Sequence, residues 1–330
     1  MVLNTAIIGL GRWGQRLVDS VQDAGRPKGD LIRFTRAVTR TPAKATGFAE
    51  RHAMQLGNRY AAALADPAIA AVAIATPHTQ HAEQIEQAAA AGKHVFVEKP
   101  FTLTAESARQ SVAACDTADV VLALGHNRRF FPSMFALKEM IESGELGRVL
   151  HLEGQFSSSY GLELTPEIWR SESAESPAGG MTSLGIHCID AFIHLNGPIS
   201  RVQAHSLKQA LTVEANDTTA MLLCFANGTT GLLGTLTATA RLFRLQVFGT
   251  KGWARIDEDG SMTVRGVDKC PETREFEKHD TCRSELEAFA IAVAGGDPYP
   301  LPADQAIHGI AVLEAIVRSA ANDGAAVDLE

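Results

Sequence analysis

Long basic runs are missing from this chain of 330 residues, whose formal charge is −8. The largest Lys/Arg groupings are pairs such as Arg128-Arg129. A phosphate backbone or an anionic membrane surface calls for a concentrated cationic footprint, so neither nucleic acid nor membrane is expected as a partner. Ligand-spaced cysteines are missing too: Cys115, Cys188, Cys224, Cys270 and Cys282 make no CxxC. The eleven histidines are scattered, and no metal site is expected. An odd cysteine count with no signal peptide predicts reduced thiols and a cytoplasmic setting. No apolar run reaches the length of a bilayer span. The first residues lack a positive segment and run at once into glycines, which predicts a first strand in place of a targeting sequence. What remains is a composition ordinary for a globular chain, 45% hydrophobic, and long enough for two domains.

The stretch Thr5 to Ile8 is a short apolar run that leads into Gly9-Leu10-Gly11-Arg12-Trp13-Gly14, followed by Leu17, Val18 and Val21 at helical spacing. Strand, glycine turn and helix are the context a dinucleotide fingerprint needs. Gly9 permits the turn, Gly11 lets the main chain approach a pyrophosphate, and Gly14 lets helix and strand pack closely. Arg12 and Trp13, inside the motif, join the expected cofactor contacts. The next strand, Ile32 to Val38, ends in Thr39-Arg40-Thr41-Pro42, where an NAD-binding unit would place a carboxylate. A hydroxyl beside a guanidinium suits a 2′-phosphate, so Thr39 and Arg40 favour NADP(H). If Arg40 is only a surface residue, NAD(H) held by main-chain contacts is the alternative.

The run Ala70 to Ala75 is nearly all apolar, as a strand buried on both faces requires, and ends in Thr76-Pro77-His78-Thr79-Gln80-His81. Ligands of open α/β sheets bind at such carboxyl edges, which marks Thr76, Pro77 and His81, the last with a structural role ahead of a chemical one. Val95 to Val97 is a further buried strand, followed by Glu98-Lys99-Pro100. An ammonium at that edge can polarise or protonate an oxygen on a carbon that gains or loses hydride. A cis Lys99–Pro100 bond would be a natural way to aim it. The strand Val120 to Leu124 closes a first domain, 1–125, and Asn127 and Arg128 open a second, 126–330.

In that second domain the residues from Tyr160 to Trp169-Arg170 read as a loop, of the kind that overhangs a small-molecule site. The stretch Gly179 to Asp190 reads as a glycine-rich start to a helix, Thr182 to Leu195, stopped by Gly197-Pro198. Ile186, Ile189, Phe192 and Ile193 are its packing residues, and His187 stands beside them. Period-two segments follow at 201–206, 217–225, 231–240, 244–249, 252–256 and 261–267, and fit one broad sheet. Glu214 to Asp217 and Arg241 are secondary site candidates. Ser284 to Val293 and Ala303 to Ala321 read as closing helices.

The Gly9–Gly14 motif, the triplet Glu98-Lys99-Pro100 and the segment ending in Gly185-Ile186-His187-Cys188-Ile189-Asp190 together resemble the Gfo/Idh/MocA family, that of glucose–fructose oxidoreductase and inositol dehydrogenase. The resemblance covers essentially the whole chain. It implies an α/β fold: an N-terminal Rossmann domain and a C-terminal α/β domain whose large, mostly antiparallel sheet often serves in oligomerisation, here as a homodimer or homotetramer. It implies NAD(P)-dependent oxidation or reduction of a secondary alcohol or carbonyl, or of a hemiacetal, on a sugar, cyclitol or related small molecule. Lys99 matches the family's active-site lysine, and His187 its catalytic histidine. Glu98, Lys99 and Asn127 fall among the implied cofactor contacts; Lys99, Asn127, Trp169, Arg170, Ser183 and His187 among the substrate contacts. Ser183 is a departure, because the family commonly has aspartate there. Asp190, three residues after His187, is expected to be structural. With Phe130, Phe131 and Tyr160, the Ser183 departure would also suit a dihydrodiol or aromatic-derived hemiacetal. A non-catalytic NADP-binding regulator is the reading from another class, and retention of both Lys99 and His187 argues against it.

Overall fold

In the computed structural model, which describes residues 2–23, 31–258 and 260–329, the chain divides into two units. One comprises Met1–Asn127 with Asp280–Ala303, the other Arg128–His279 with Asp304–Glu330.

The first unit begins with β1 (Leu3–Ile8), α1 (Arg12–Gln22), β2 (Ile32–Val38), α2 (Thr46–Arg51), β3 (Gln55–Gly57) and α3 (Tyr60–Leu64). It continues with β4 (Ala71–Ile74), α4 (His81–Ala90), β5 (His94–Glu98), α5 (Ala105–Thr117) and β6 (Leu122–Gly125). The six strands form one parallel sheet in the order β3-β2-β1-β4-β5-β6. Parallel strands need crossovers, and helical crossovers cover such a sheet, in keeping with the burial of all four residues of β4. The order reverses between β1 and β4, the crevice where doubly wound sheets bind ligands. Ile8 pairs with Val38 and Ile74, and Ile74 with Val97, so the Gly9 turn and Lys99 leave the sheet along the same carboxyl edge.

The second unit holds α6 (Pro132–Glu142), β7 (Val149–Ser157) and α7 (Ile186–Asn196), then β8 (Ile199–Leu207), β9 (Thr218–Phe225) and β10 (Thr230–Leu236). Next come β11 (Leu242–Gly249), β12 (Gly252–Asp257), β13 (Met262–Gly266) and β14 (Glu272–Arg274). After α8 (Thr281–Val293), which belongs to the first unit, α9 (Ala303–Ala321) and β15 (Val327–Asp328) complete it. Its nine strands run β14-β13-β12-β11-β7-β10-β9-β8-β15, with every neighbouring pair antiparallel except β7 and β10. Strand alternation buries Leu152, Leu223, Leu233 and Leu245 in a core with Phe192 of α7 and Val312 and Ile316 of α9.

Three expectations change. The single cut between 125 and 126 does not describe the chain, since Asp280–Ala303 returns to the first unit. There Leu286, Phe289 and Ala290 of α8 share a core with Leu17, Val18, Phe34 and Phe96. Asp280 caps α8 by accepting from Cys282 and Arg283 main-chain N–H groups, and pairs with Arg16 of α1 at 2.8 Å. The helix expected from Thr182 is α-helical only from Ile186; Met181–Gly185 before it is a wider π-helical turn. Finally, the segment read as a strand through Ala240 leaves the sheet after Leu236, and β14 and β15 went unread.

Candidate active site

In the first unit the three motif glycines do three different things. Gly9 has φ +94°, and a Cβ there would stand 2.5 Å from the Ala75 carbonyl oxygen. A Cβ on Gly14 would run into the Gly9 carbonyl. At Gly11 a Cβ would meet nothing within 4 Å, so the main chain is open to an incoming group. Gly11 is also the N-cap of α1, and no side chain caps that end. The first-turn N–H groups and the positive end of the helix dipole thus meet an open approach, which fits a pyrophosphate. Arg12 is exposed on that turn, whereas Trp13 packs its ring against the first unit's core.

Past β2, Thr39 is half-buried and Arg40 exposed, while Arg36 is occupied with Asp66 at 2.7 Å. Past β4, the Thr76 hydroxyl donates to the Gln84 side-chain oxygen at 2.6 Å, and Pro77 is half-buried. His81, expected among the cofactor contacts, is fully buried, with Nδ1 2.9 Å from the Pro100 carbonyl oxygen and Nε2 3.0 Å from that of Thr76. Each ring nitrogen therefore faces a main-chain carbonyl oxygen. His81 ties the end of β4 to the segment beyond β5.

Lys99 is half-buried at that edge, and the Lys99–Pro100 bond is cis. Glu98 turns inward: it is buried, and a Cβ on its ladder partner Gly125 would lie 2.8 Å from its Oε1. Asn127 donates its amide to Thr281 Oγ1 at 3.1 Å and to Cys282 Sγ at 3.8 Å, so its nitrogen holds the start of α8 and its oxygen is the atom left for a ligand.

In the second unit, His187 lies in the first turn of α7, 7% exposed, its ring centroid 6.0 Å from that of Phe156. One turn earlier, Ser183 Oγ is 2.5 Å from the Tyr160 phenolic oxygen. Burial pushes the Tyr160 phenol up, while the Ser183 hydrogen bond and the charge of Arg170 pull the other way, so it stays a neutral hydroxyl at physiological pH. Arg170 lies 4.1 Å over the Trp169 ring. The loop candidates Trp169 and Arg170 are thus one stacked pair, placed beside Tyr160 and Ser183.

Sequence reasoning missed Thr235 and Thr237. Their buried hydroxyls have no protein hydrogen-bond partner among the described residues. A Cβ on Gly180 would lie 3.2 Å from Thr235 Oγ1, and one on Gly161 2.7 Å from Thr237 Oγ1. The alternation Thr-Leu-Thr that carries Thr235 at the end of β10 and Thr237 just past it was the available signal. The glycines of the central segment have a local cause. Gly179 has φ +57° and abuts the Asn216 carbonyl, and a Cβ on Gly185 would clash with Met181.

Other candidates separate from this group. Asp190 is held by Arg129, whose Nε lies 2.9 Å from both carboxylate oxygens. Asp217 Oδ2 accepts three main-chain N–H groups, from Gln209, Ala210 and Leu211 at 2.7–3.0 Å, which builds a turn. Glu214 accepts from Ser173, and Arg241 pairs with Glu258. Arg128 sits in a cage of rings, 4.3 Å from the Phe243 centroid, 4.4 Å from Phe156 and 5.4 Å from Phe131. No helix among the described residues is long and apolar enough to cross a membrane.

Comparison with known proteins agrees with both units. Residues 3–126 match the profile described as an oxidoreductase family with an NAD-binding Rossmann fold. Residues 134–255 match that of the GFO/IDH/MocA C-terminal domain. The oxidoreductase YrbE of Bacillus subtilis (strain 168) is 30% identical over 273 residues, 79% of this chain and 75% of that protein. The scyllo-inositol 2-dehydrogenase (NADP(+)) IolW of the same organism is 29% identical over 284 residues, 77% of each. A crystal structure of an oxidoreductase from Desulfitobacterium hafniense DCB-2 superposes with a TM-score of 0.91 at 29% identity, over 99% of this chain and 98% of that one.

Proposed function

The chain belongs to the Gfo/Idh/MocA oxidoreductase family, and from that premise we propose that it is an NADP(H)-preferring dehydrogenase of a sugar or cyclitol, interconverting a secondary alcohol and a ketone, or a hemiacetal and a lactone. The observation that carries the reading is the register of the first sheet, which brings the open Gly11 turn and Lys99 to one carboxyl edge. A bound nicotinamide would accept or supply the hydride.

The chain's own residues do the rest. Gly9, Gly11 and Gly14 shape the phosphate cradle, Arg12 stands on its turn, and the Asn127 oxygen is offered past β6. Thr39 and Arg40 supply a hydroxyl and a cation to a 2′-phosphate, in keeping with the NADP(+) in the name of the relative IolW. In the oxidation direction His187 takes the hydroxyl proton and Lys99 stabilises the oxygen as negative charge develops on it. Ser183, Tyr160, Thr235 and Thr237 present hydroxyls, and Arg170 a cation, to the substrate's remaining hydroxyls.

This polar set favours a polyol over a dihydrodiol. Phe131, Phe156 and Phe243, which could have received an aromatic ring, already stack around Arg128. The exposed Leu222 of β9 and Leu232 of β10 support pairing through the open face of the large sheet, as a homodimer or homotetramer.

The test is nicotinamide absorbance across a panel of inositols, aldoses, anhydro sugars and a trans-dihydrodiol, with NADP+ and NAD+ in parallel. Turnover of a polyol with NADP+ is expected. Lys99→Met should keep cofactor binding and lower kcat about 10²–10³-fold, the scale of removing one preorganised donor from a developing oxyanion. Unchanged turnover in that variant would sink the assignment of Lys99.

A further inference from the structure

Glu285 is 0% exposed, and neither of its carboxyl oxygens has a hydrogen-bond partner among the described residues. It lies on α8 between the core residues Cys282, Leu286 and Phe289. Helical spacing puts it on the face of Thr281 and Cys282, one turn back. That face is located by two contacts. Asn127, just past β6, reaches Thr281 and Cys282, and Gly125 at the end of β6 adjoins the Glu98 carboxyl. With α8 packed on β5 and β6, this buried face of α8 lies near enough to the end of β5 for the Glu98 charge to act on Glu285.

An ionised carboxylate with no donor cannot be sustained in such surroundings, whereas a carboxylic acid beside a carboxylate can. Burial first, then the negative charge of Glu98, push the Glu285 carboxyl well above the usual range. Lys99 from the end of β5 and Arg16 from α1 act in the opposite sense. Cys282 on the same face is a thiol pushed up by burial, so it adds no charge at neutral pH.

We propose that Glu285 and Glu98 form a buried acid–carboxylate pair in which Glu285 holds the proton, and that this pair fixes the one negative charge against which Lys99 is positioned. Glu285 thereby acts as a positioning residue, through Glu98, on the ammonium at the reacting oxygen. The positioning half rests on the role given to Lys99 under the proposed function; the proton-holding half does not.

Two readouts test it on the full chain with NADP+ bound. Infrared difference spectra of wild type against Glu285→Gln at neutral pH should show a protonated-carboxyl band in wild type only. Acetylation of Lys99 by acetic anhydride, followed by mass spectrometry, reports how readily the ammonium gives up its proton. Glu285→Gln keeps a donor toward Glu98, so Lys99 should react as in wild type. Glu285→Met removes the donor, Glu98 takes up the proton, and Lys99 loses its counter-charge. Acetylation at fixed pH should then rise about tenfold, and kcat should fall with KM unchanged. Glu98→Gln keeps the volume and removes the same charge, so it must raise Lys99 reactivity likewise, which keeps the test decisive if Glu285→Met does not fold. Absence of the infrared band overturns the proton-holding role. Unchanged Lys99 reactivity in Glu98→Gln, or in folded Glu285→Met, overturns the positioning role. If the panel yields no turnover, the proposed reaction fails while the band and the acetylation rates still decide the pair.

Discussion

Asp190 and Glu285 are carboxyl groups buried on helices that pack against a sheet, 7% and 0% exposed, and their surroundings are opposite. Asp190 in the second unit receives the Arg129 guanidinium on both oxygens. The same guanidinium continues to His194 Nδ1 at 3.2 Å and to the Gln305 side-chain oxygen at 2.7 Å, while Lys138 donates to the His194 carbonyl. Each group in that network has its complement, and α6, α7 and α9 are joined by it. Glu285 has no donor among the described residues, and a second carboxyl acts on it. A satisfied buried network specifies architecture. An unsatisfied acid is costly to keep, and its place beside Glu98 and Lys99 makes it a candidate for chemistry.

Breaking the satisfied member should have the largest effect. Asp190→Ala leaves the Arg129 charge buried without its counter-ion and should cost about 3–5 kcal/mol in equilibrium unfolding. If Asp190 served His187 in place of Arg129, kcat would fall while stability held. Next in size is the pH response of the same network. Burial and the charge of Arg129 lower the His194 pKa to about 4, so between there and about 6.5 the unfolded chain binds a proton that the folded chain refuses. This contribution to stability is full above that window and lost as pH falls through it. The urea midpoint of wild type should drop more between pH 7 and pH 4 than that of His194→Gln.

A further pH effect has the opposite slope. Glu285 keeps a proton that the unfolded chain releases above about pH 4.3, so its contribution declines as pH rises. Glu285→Gln should be more stable than wild type at neutral pH, by a margin that widens from pH 5 to pH 8. A margin that is constant with pH would mean that Glu285 ionises in the folded protein as it does in the unfolded chain.

The parts of the fold legible in the sequence are those where the backbone restricts residue choice. Gly9 and Gly14 stand where a side chain would strike main chain, so the turn after β1 could be read without a structure. The apolar run of β4 announced a strand covered on both faces. Periodicity, by contrast, says that a helix has a buried face and not which sheet it covers, so α8 was assigned to the wrong unit. A glutamate between Cys282, Leu286 and Phe289, on the core side of that pattern, was the overlooked signal. Tyr160 and Ser183 are 23 residues apart, and His81 and Pro100 are 19 apart. Such pairings depend on how loops return, which local spacing does not encode. For His81 both roles stayed open in the sequence, because a polar residue at a strand's carboxyl edge can point into the site or back into the main chain.

The return of Asp280–Ala303 to the first unit also bears on how the protein is made. Asn127 and Thr281, which hold the start of α8 in place, are 154 residues apart. The nucleotide-binding sheet can therefore be synthesised complete while Phe34 and Phe96 still lack Phe289. Closing so long a loop is slow relative to local helix formation, and domains larger than a simple two-state folder expose apolar surface meanwhile. On the ribosome the first unit waits, with an uncovered flank, until α8 has emerged.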